Sequence, residues 1–247
     1  MNDNKFDCLL LHGWGFNNGI MDNFAKGVTC SGKILIPCLY EITRAVNEYS
    51  FESIANKVSK EIHQDTIVIG WSIGGLIATR LALLTDKVKA IVYIASVPRF
   101  MNDDKWKNTI DRKDFDELEK TFNRDPLLAL ETFAGLTSIG EISVKNTKKL
   151  LCKFLTDATT NKDILIKWLI ELKKTDLREE FSSLNIPVLF LLGDHDALVA
   201  PEVVRQLKKL LPEARCELIK DCGHAPFISM EYETQNLIND FINVTNN

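Results

Sequence analysis

The chain has 247 residues, 45% of them hydrophobic and 26% charged, an ordinary globular composition that excludes disordered, collagenous and low-complexity classes. Thirty Lys and Arg against 34 Asp and Glu leave a net charge of -4, which disfavours wholesale nucleic-acid binding because phosphate neutralisation needs a basic surface. No apolar run reaches the roughly 18–20 residues of a membrane span.

The polar start, Met1-Asn2-Asp3-Asn4-Lys5, runs straight into a strand-like segment without the pattern of a signal peptide. Strands are expected at Cys8–Leu11, Ile34–Ile36, Ile67–Ile69, Ala90–Ala95, Val188–Leu192 and Cys216–Ile219. Each is a continuous Ile/Leu/Val-rich run rather than an alternating one, which suits parallel strands buried on both faces. Helical patterns at Phe51–His63, Gly75–Leu84, Pro201–Leu210 and Glu231–Ile242 separate them, so the fold class is α/β with a mainly parallel central sheet. Six scattered cysteines without a CxxC pair read as reduced thiols. A cytoplasmic protein that needs no metal and no cofactor is expected.

From about Pro98 to Leu184 the alternation stops. Helix patterns at Phe115–Phe122, Pro126–Phe133, Val144–Phe154 and Ile164–Lys173 predict an all-helical cap at 98–184 inserted into a core of 1–97 and 185–247, above the sheet edge where α/β proteins bind ligands. Cap and core are expected to form one folding unit and the chain a monomer. Residues 145–178 hold nine basic and four acidic side chains. Lys145, Lys149 and Lys153 share one helix face, with Val144, Leu151, Phe154 and Leu155 opposite. That strip is either a solvated face or a docking strip for an acidic partner.

Gly70-Trp71-Ser72-Ile73-Gly74-Gly75 follows the third strand and opens a helix. A G-x-S-x-G turn places a serine nucleophile on a sharp strand-to-helix bend, with free N–H groups of the helix start behind it. The serine needs a general base. His224, in the loop after the last strand, can reach over the sheet edge; His195 is its rival, whereas His12 reads as a loop organiser and His63 as solvated. The orienting carboxylate comes from Gly193-Asp194-His195-Asp196, with Asp196 preferred to Asp194 as the deeper of the two in the loop. Ile73, next after the serine, and Trp14, in His12-Gly13-Trp14-Gly15, supply the two N–H donors of an oxyanion hole.

These motifs resemble the α/β-hydrolases over the whole chain. Leu11-His12-Gly13-Trp14-Gly15, the GWSIGG turn, Thr175-Asp176-Leu177-Arg178 and His224-Ala225-Pro226-Phe227-Ile228-Ser229 resemble, more narrowly, the pimeloyl-[acyl-carrier protein] methyl ester esterases of biotin synthesis. The resemblance implies hydrolysis of the methyl ester of a carrier-borne pimeloyl chain by Ser72, Asp196 and His224, with Trp14 and Ile73 as oxyanion donors and Phe133 beside the substrate. It also implies that an acyl carrier protein docks on the cap, at positions held here by Lys145 and Lys149. Two further positions hold Leu128 and Thr132, which carry no charge. Where many relatives have a Pro-Gly-x-Gly-x-Ser loop this chain reads Pro37-Cys38-Leu39-Tyr40-Glu41-Ile42, a loop expected to border the pocket mouth and bear on substrate preference. Alternatives are a short-chain carboxylesterase without a carrier partner, a lyase of the same fold as in menaquinone synthesis, and a non-catalytic relative.

Overall fold

The computed structural model describes residues 6–46 and 48–245; the polar start at 1–5 lies outside them. Six strands, β1 (Asp7–Leu11), β2 (Ile34–Leu35), β3 (Thr66–Trp71), β4 (Val88–Ile94), β5 (Val188–Gly193) and β6 (Arg215–Ile219), form one sheet in the order β2-β1-β3-β4-β5-β6, every neighbouring pair parallel. The four inner strands are almost wholly buried, as continuous apolar runs require. Both edge strands are more exposed, and β2 is cut to two residues, which limits the unpaired edge.

The chain leaves β1 toward one side of the sheet to make β2 and returns to the other to make β3. Loops that part company in this way leave a crevice at the carboxyl ends of β1 and β3, the place where α/β sheets bind ligands. The helix Ile73–Leu84 starts directly at the end of β3, two residues before its predicted start.

Several helix boundaries differ from the periodicity. Phe51–Ser59 stops before its predicted end at His63: Glu61 and Ile62 bond back three residues, so a tight turn buries Ile62 instead. The segment Pro201–Leu210 opens with one turn of 3-10 helix, and Val144–Phe154 ends in one. Leu39–Arg44, Asp22–Ala25 and Pro226–Ser229 are short helices with no predicted counterpart.

Between β4 and β5 the chain forms the helices Arg112–Arg124, Pro126–Thr137, Val144–Leu151, Lys162–Lys174 and Arg178–Ser182. Pro126 separates the first two: it cannot continue one helix, and with Asp125 capping through Leu128 N–H it begins the next. The helical stretch leaves and re-enters the sheet layer at one place, where Leu177 N–H donates to the Pro98 carbonyl at 2.9 Å. Arg99, Asp103, Asp176 and Arg178 cross-link that junction through ion pairs, with Arg178 Nη2 2.6 Å from Asp176 Oδ2. The core runs unbroken from the sheet into these helices through Trp168, Leu169 and Phe133. No helix among the described residues is long and apolar enough to cross a membrane.

Candidate active site

Ser72 has φ 54° and ψ −121°, a conformation that costs a non-glycine residue about 1–3 kcal/mol and persists only where its surroundings impose it. Ser72 N–H donates to the Ile94 carbonyl at 3.0 Å, tying the bend to β4, and the Ser72 carbonyl accepts from Gly75 N–H at 3.0 Å and from the Ser96 hydroxyl at 2.7 Å. The glycines around it are there for clearance. A Cβ on Gly74 would lie 2.4 Å from the Leu11 carbonyl oxygen, and one on Gly75 would lie 2.2 Å from Ser96 Oγ. Because the obstacle at Gly74 is backbone of β1, Gly74→Ala should lose about 2–3 kcal/mol, a Tm lower by roughly 5–10 °C in a thermal melt.

His224 and Asp196 lie on the loops after β6 and β5 and meet at the carboxyl edge of the sheet. His224 Nδ1 is 2.8 Å from Asp196 Oδ2, and both side chains are essentially unexposed, at 1% and 0%. The other Asp196 oxygen accepts from Leu198 and Val199 N–H at 2.8 and 3.0 Å, so the carboxylate is fixed on both sides. This leaves His224 Nε2 buried without a protein hydrogen-bond partner among the described residues. Ser72 and His224 line one cavity; the serine–imidazole bond of such pairs commonly closes only when substrate is bound. Asp194 instead pairs with His195, whose side chain is 58% exposed and does not line that cavity. His63 is exposed beyond the end of its helix.

The cavity has a volume of about 260 Å³. Trp14, Ile73 and Phe133 line it beside Ser72, with Phe115, Leu136 and Leu172 among its apolar walls. Ile73 is the first residue of its helix, so its N–H has no intrahelical acceptor. Phe133 stands edge-on to Trp14 at 4.9 Å between ring centres, and Trp14 Nε1–H donates to the Leu165 carbonyl of the helix Lys162–Lys174. Two carboxylates, Asp111 and Asp114, also border the cavity.

Lys145 and Lys149 lie apart from these residues. Both are exposed on the helix Val144–Leu151, and no residue of that helix lines the cavity. The helix buries Thr147 and Leu151, whereas Val144, expected on its inner face, is 45% exposed. The segment Pro37–Ile42 does not border the cavity mouth as expected. Its second half opens a helix, Leu39 and Tyr40 are buried, and no residue from 37 to 42 borders the cavity. The segment faces the loop after β1 instead, because Tyr40 stacks between His12 and Trp168.

Three residues around the site escape sequence reasoning. Ser96 holds the serine turn, Trp71 Nε1–H donates to the His224 carbonyl at 2.7 Å, and Glu141 accepts from Gly223 N–H at 3.0 Å. Glu141 is buried, and that burial pushes its carboxyl above the ordinary range. Only its place on the turn at Gly140 (φ 89°), backed against His195, distinguishes it from a surface acid.

His12 carries no exposed surface: its Nε2 accepts from Leu39 N–H at 3.1 Å and its Nδ1 lies 3.0 Å from the Gly13 carbonyl. Desolvation pushes its pKa down from 6.5 to about 4. A buried neutral imidazole contributes its stability in full above pH 6.5 and loses it as the pH falls through 4, up to about 3 kcal/mol. The stability difference between wild type and His12→Gln should therefore narrow from pH 7 to pH 4 in urea unfolding.

A profile of the α/β hydrolase fold matches residues 29–230. The chain belongs to the α/β-hydrolase family. This hydrolase is 30% identical over 227 residues to a pimeloyl-[acyl-carrier protein] methyl ester esterase of Vibrio cholerae, covering 90% of this chain and 89% of that one. It is 29% identical over 240 residues to the protein of the same name from Photobacterium profundum, covering 96% and 94%. Among solved structures, an esterase from Exiguobacterium antarcticum superposes with a TM-score of 0.78 at 17% identity, covering 96% of this chain and 92% of that one. A hydrolase from Oleispira antarctica gives 0.80 at 20% identity, covering 97% and 91%. Both curated relatives are named as methyl ester esterases, that is, carboxylic ester hydrolases.

Proposed function

We propose that this hydrolase cleaves the methyl ester of pimeloyl-acyl carrier protein, releasing methanol and free pimeloyl-acyl carrier protein for biotin synthesis. The observation that carries the proposal is one cavity holding a serine on a positive-φ turn beside a buried imidazole–carboxylate pair, in a chain whose curated relatives bear that name. Ser72 Oγ attacks the ester carbonyl as His224 Nε2 takes its proton, and Asp196 stabilises the imidazolium. Trp14 and Ile73 N–H groups receive the negative oxygen. The imidazolium then protonates the departing methoxide. Water, activated by the same imidazole, releases the acid from Ser72.

In this reading 1–97 and 185–247 are the core, and 98–184 is a cap whose apolar side chains cover the acyl chain. A methyl-capped terminus suits such walls because no carboxylate has to be buried. Lys145 and Lys149 serve as the docking strip for the acidic carrier. The hydrolase acts as a cytoplasmic monomer without metal or cofactor.

A carrier-independent carboxylesterase is the second reading. It is favoured by the separation of the lysines from the cavity, by Leu128 and Thr132, and by Asp111 and Asp114 at the cavity. Intact-protein mass spectrometry of pimeloyl-carrier methyl ester distinguishes the two. The proposal expects wild type to remove the methyl group, Ser72→Ala to leave it, and Lys145→Glu/Lys149→Glu to slow the carrier reaction at least several-fold with small esters unaffected. Cleavage of small esters alone, with the carrier ester intact, establishes the second reading.

A further inference from the structure

Leu39 and Tyr40 are buried yet do not line the cavity, which raises the question of what they do. The answer lies in the two peptide units on either side of Trp14. The first joins the Gly13 carbonyl to Trp14 N–H, the oxyanion donor of the proposed mechanism. In a trans peptide these two groups point in opposite directions, so whatever holds the carbonyl aims the N–H. Leu39 N–H donates to His12 Nε2, which makes Nδ1 the protonated nitrogen of the neutral ring, and Nδ1 lies 3.0 Å from the Gly13 carbonyl.

The second unit joins the Trp14 carbonyl to Gly15 N–H, and that N–H donates to the Tyr40 hydroxyl at 2.9 Å. Gly15 has φ 83°, so this loop follows a path that local preference alone does not enforce. The Tyr40 ring is stacked on His12 at 5.5 Å and on Trp168 at 4.7 Å, which leaves it little freedom to turn. Trp168 belongs to the helix whose Leu165 carbonyl receives the Trp14 indole N–H.

We propose that Tyr40 is a positioning residue for the oxyanion hole: its hydroxyl holds Gly15 N–H and its ring braces His12, so that both peptides flanking Trp14 are fixed and Trp14 N–H is aimed at the reacting oxygen. The inference rests on the esterase mechanism proposed above.

Tyr40→Phe tests it, because the ring stays and only the acceptor for Gly15 N–H goes. On a soluble p-nitrophenyl ester, with active sites titrated so that the rate is per competent enzyme, kcat should fall about 10-fold while KM stays within about 2-fold. Removing an oxyanion donor outright costs on the order of 100-fold or more, and misaiming one costs less. A trifluoromethyl ketone is the second readout. Ser72 Oγ adds to its carbonyl carbon, His224 takes the serine proton, and the oxygen becomes anionic where the donors converge. Its Ki should rise by the same factor as kcat/KM falls, whereas a merely structural role lowers Tm without moving Ki. His12→Gln should lower kcat through the same loop, with an effect that does not multiply with that of Tyr40→Phe. Unchanged kcat and Ki in Tyr40→Phe, with wild type active and Ser72→Ala inactive, overturn the inference and leave the esterase reading intact. Ester turnover surviving in Ser72→Ala removes both.

Discussion

Ser72→Ala is expected to lower kcat on any ester by a factor of about 10⁴ or more while leaving the thermal melt close to wild type. Loss of the hydroxyl removes the nucleophile, yet alanine occupies the same positive-φ position, and the bonds that impose it run through the backbone and Ser96. A companion variant separates chemistry from strain. Ser72→Gly should be equally inactive but more stable by roughly 1 kcal/mol, because glycine adopts φ 54° without the steric cost. An inactive alanine variant with a normal melt, beside a stabilised glycine variant, identifies the turn as a place where stability is given up for function.

Asp196→Asn is the second large effect, a fall in kcat of about 10⁴-fold. Asparagine can keep its oxygen on Leu198 and Val199 N–H, which aims its NH2 at His224 Nδ1. A donor at that point forces Nδ1 to accept, so the proton moves to Nε2 and the ring can no longer take one from Ser72. Folding should change little, since no Lys or Arg pairs with this buried carboxylate among the described residues. The check is a saturating-substrate rate on a soluble ester together with a thermal melt; a loss under 10-fold would mean that another group orients His224. Asp194→Asn provides the contrast. Its partner is the exposed His195, and activity should stay within a few-fold of wild type.

Much of the sheet is legible in the sequence because its inner strands are buried on both faces. Unbroken runs such as Leu9-Leu10-Leu11 and Val188–Leu192 are what two-sided burial demands, and their ends fall within about two residues of expectation. Leu39–Arg44 is illegible for the opposite reason. Six residues are too few to display a 3.6-residue period, and Tyr40 is buried by His12 and by Trp168, contacts far away in sequence. The candidate site divides in the same way. Ser72 sits in a local turn motif whose glycines are required by the geometry of that turn. Asp196 meets His224 because a turn closes its other oxygen on Leu198 and Val199, contacts that the preference for the deeper of the two aspartates does not use. Glu141 depends on tertiary packing entirely. So does the position of Lys145 and Lys149, whose helical spacing places them on one face without saying that the face lies away from the cavity.

Covalent labelling with a fluorophosphonate, followed by peptide mapping, tests most directly whether Ser72, His224 and Asp196 act as one catalytic unit. The account predicts a single adduct on Ser72 in folded wild type, none in Ser72→Ala, and labelling slowed by orders of magnitude in Asp196→Asn, because the reagent needs an activated serine rather than an exposed one. An adduct on another serine, or ester turnover by a protein that takes no label at Ser72, would contradict it.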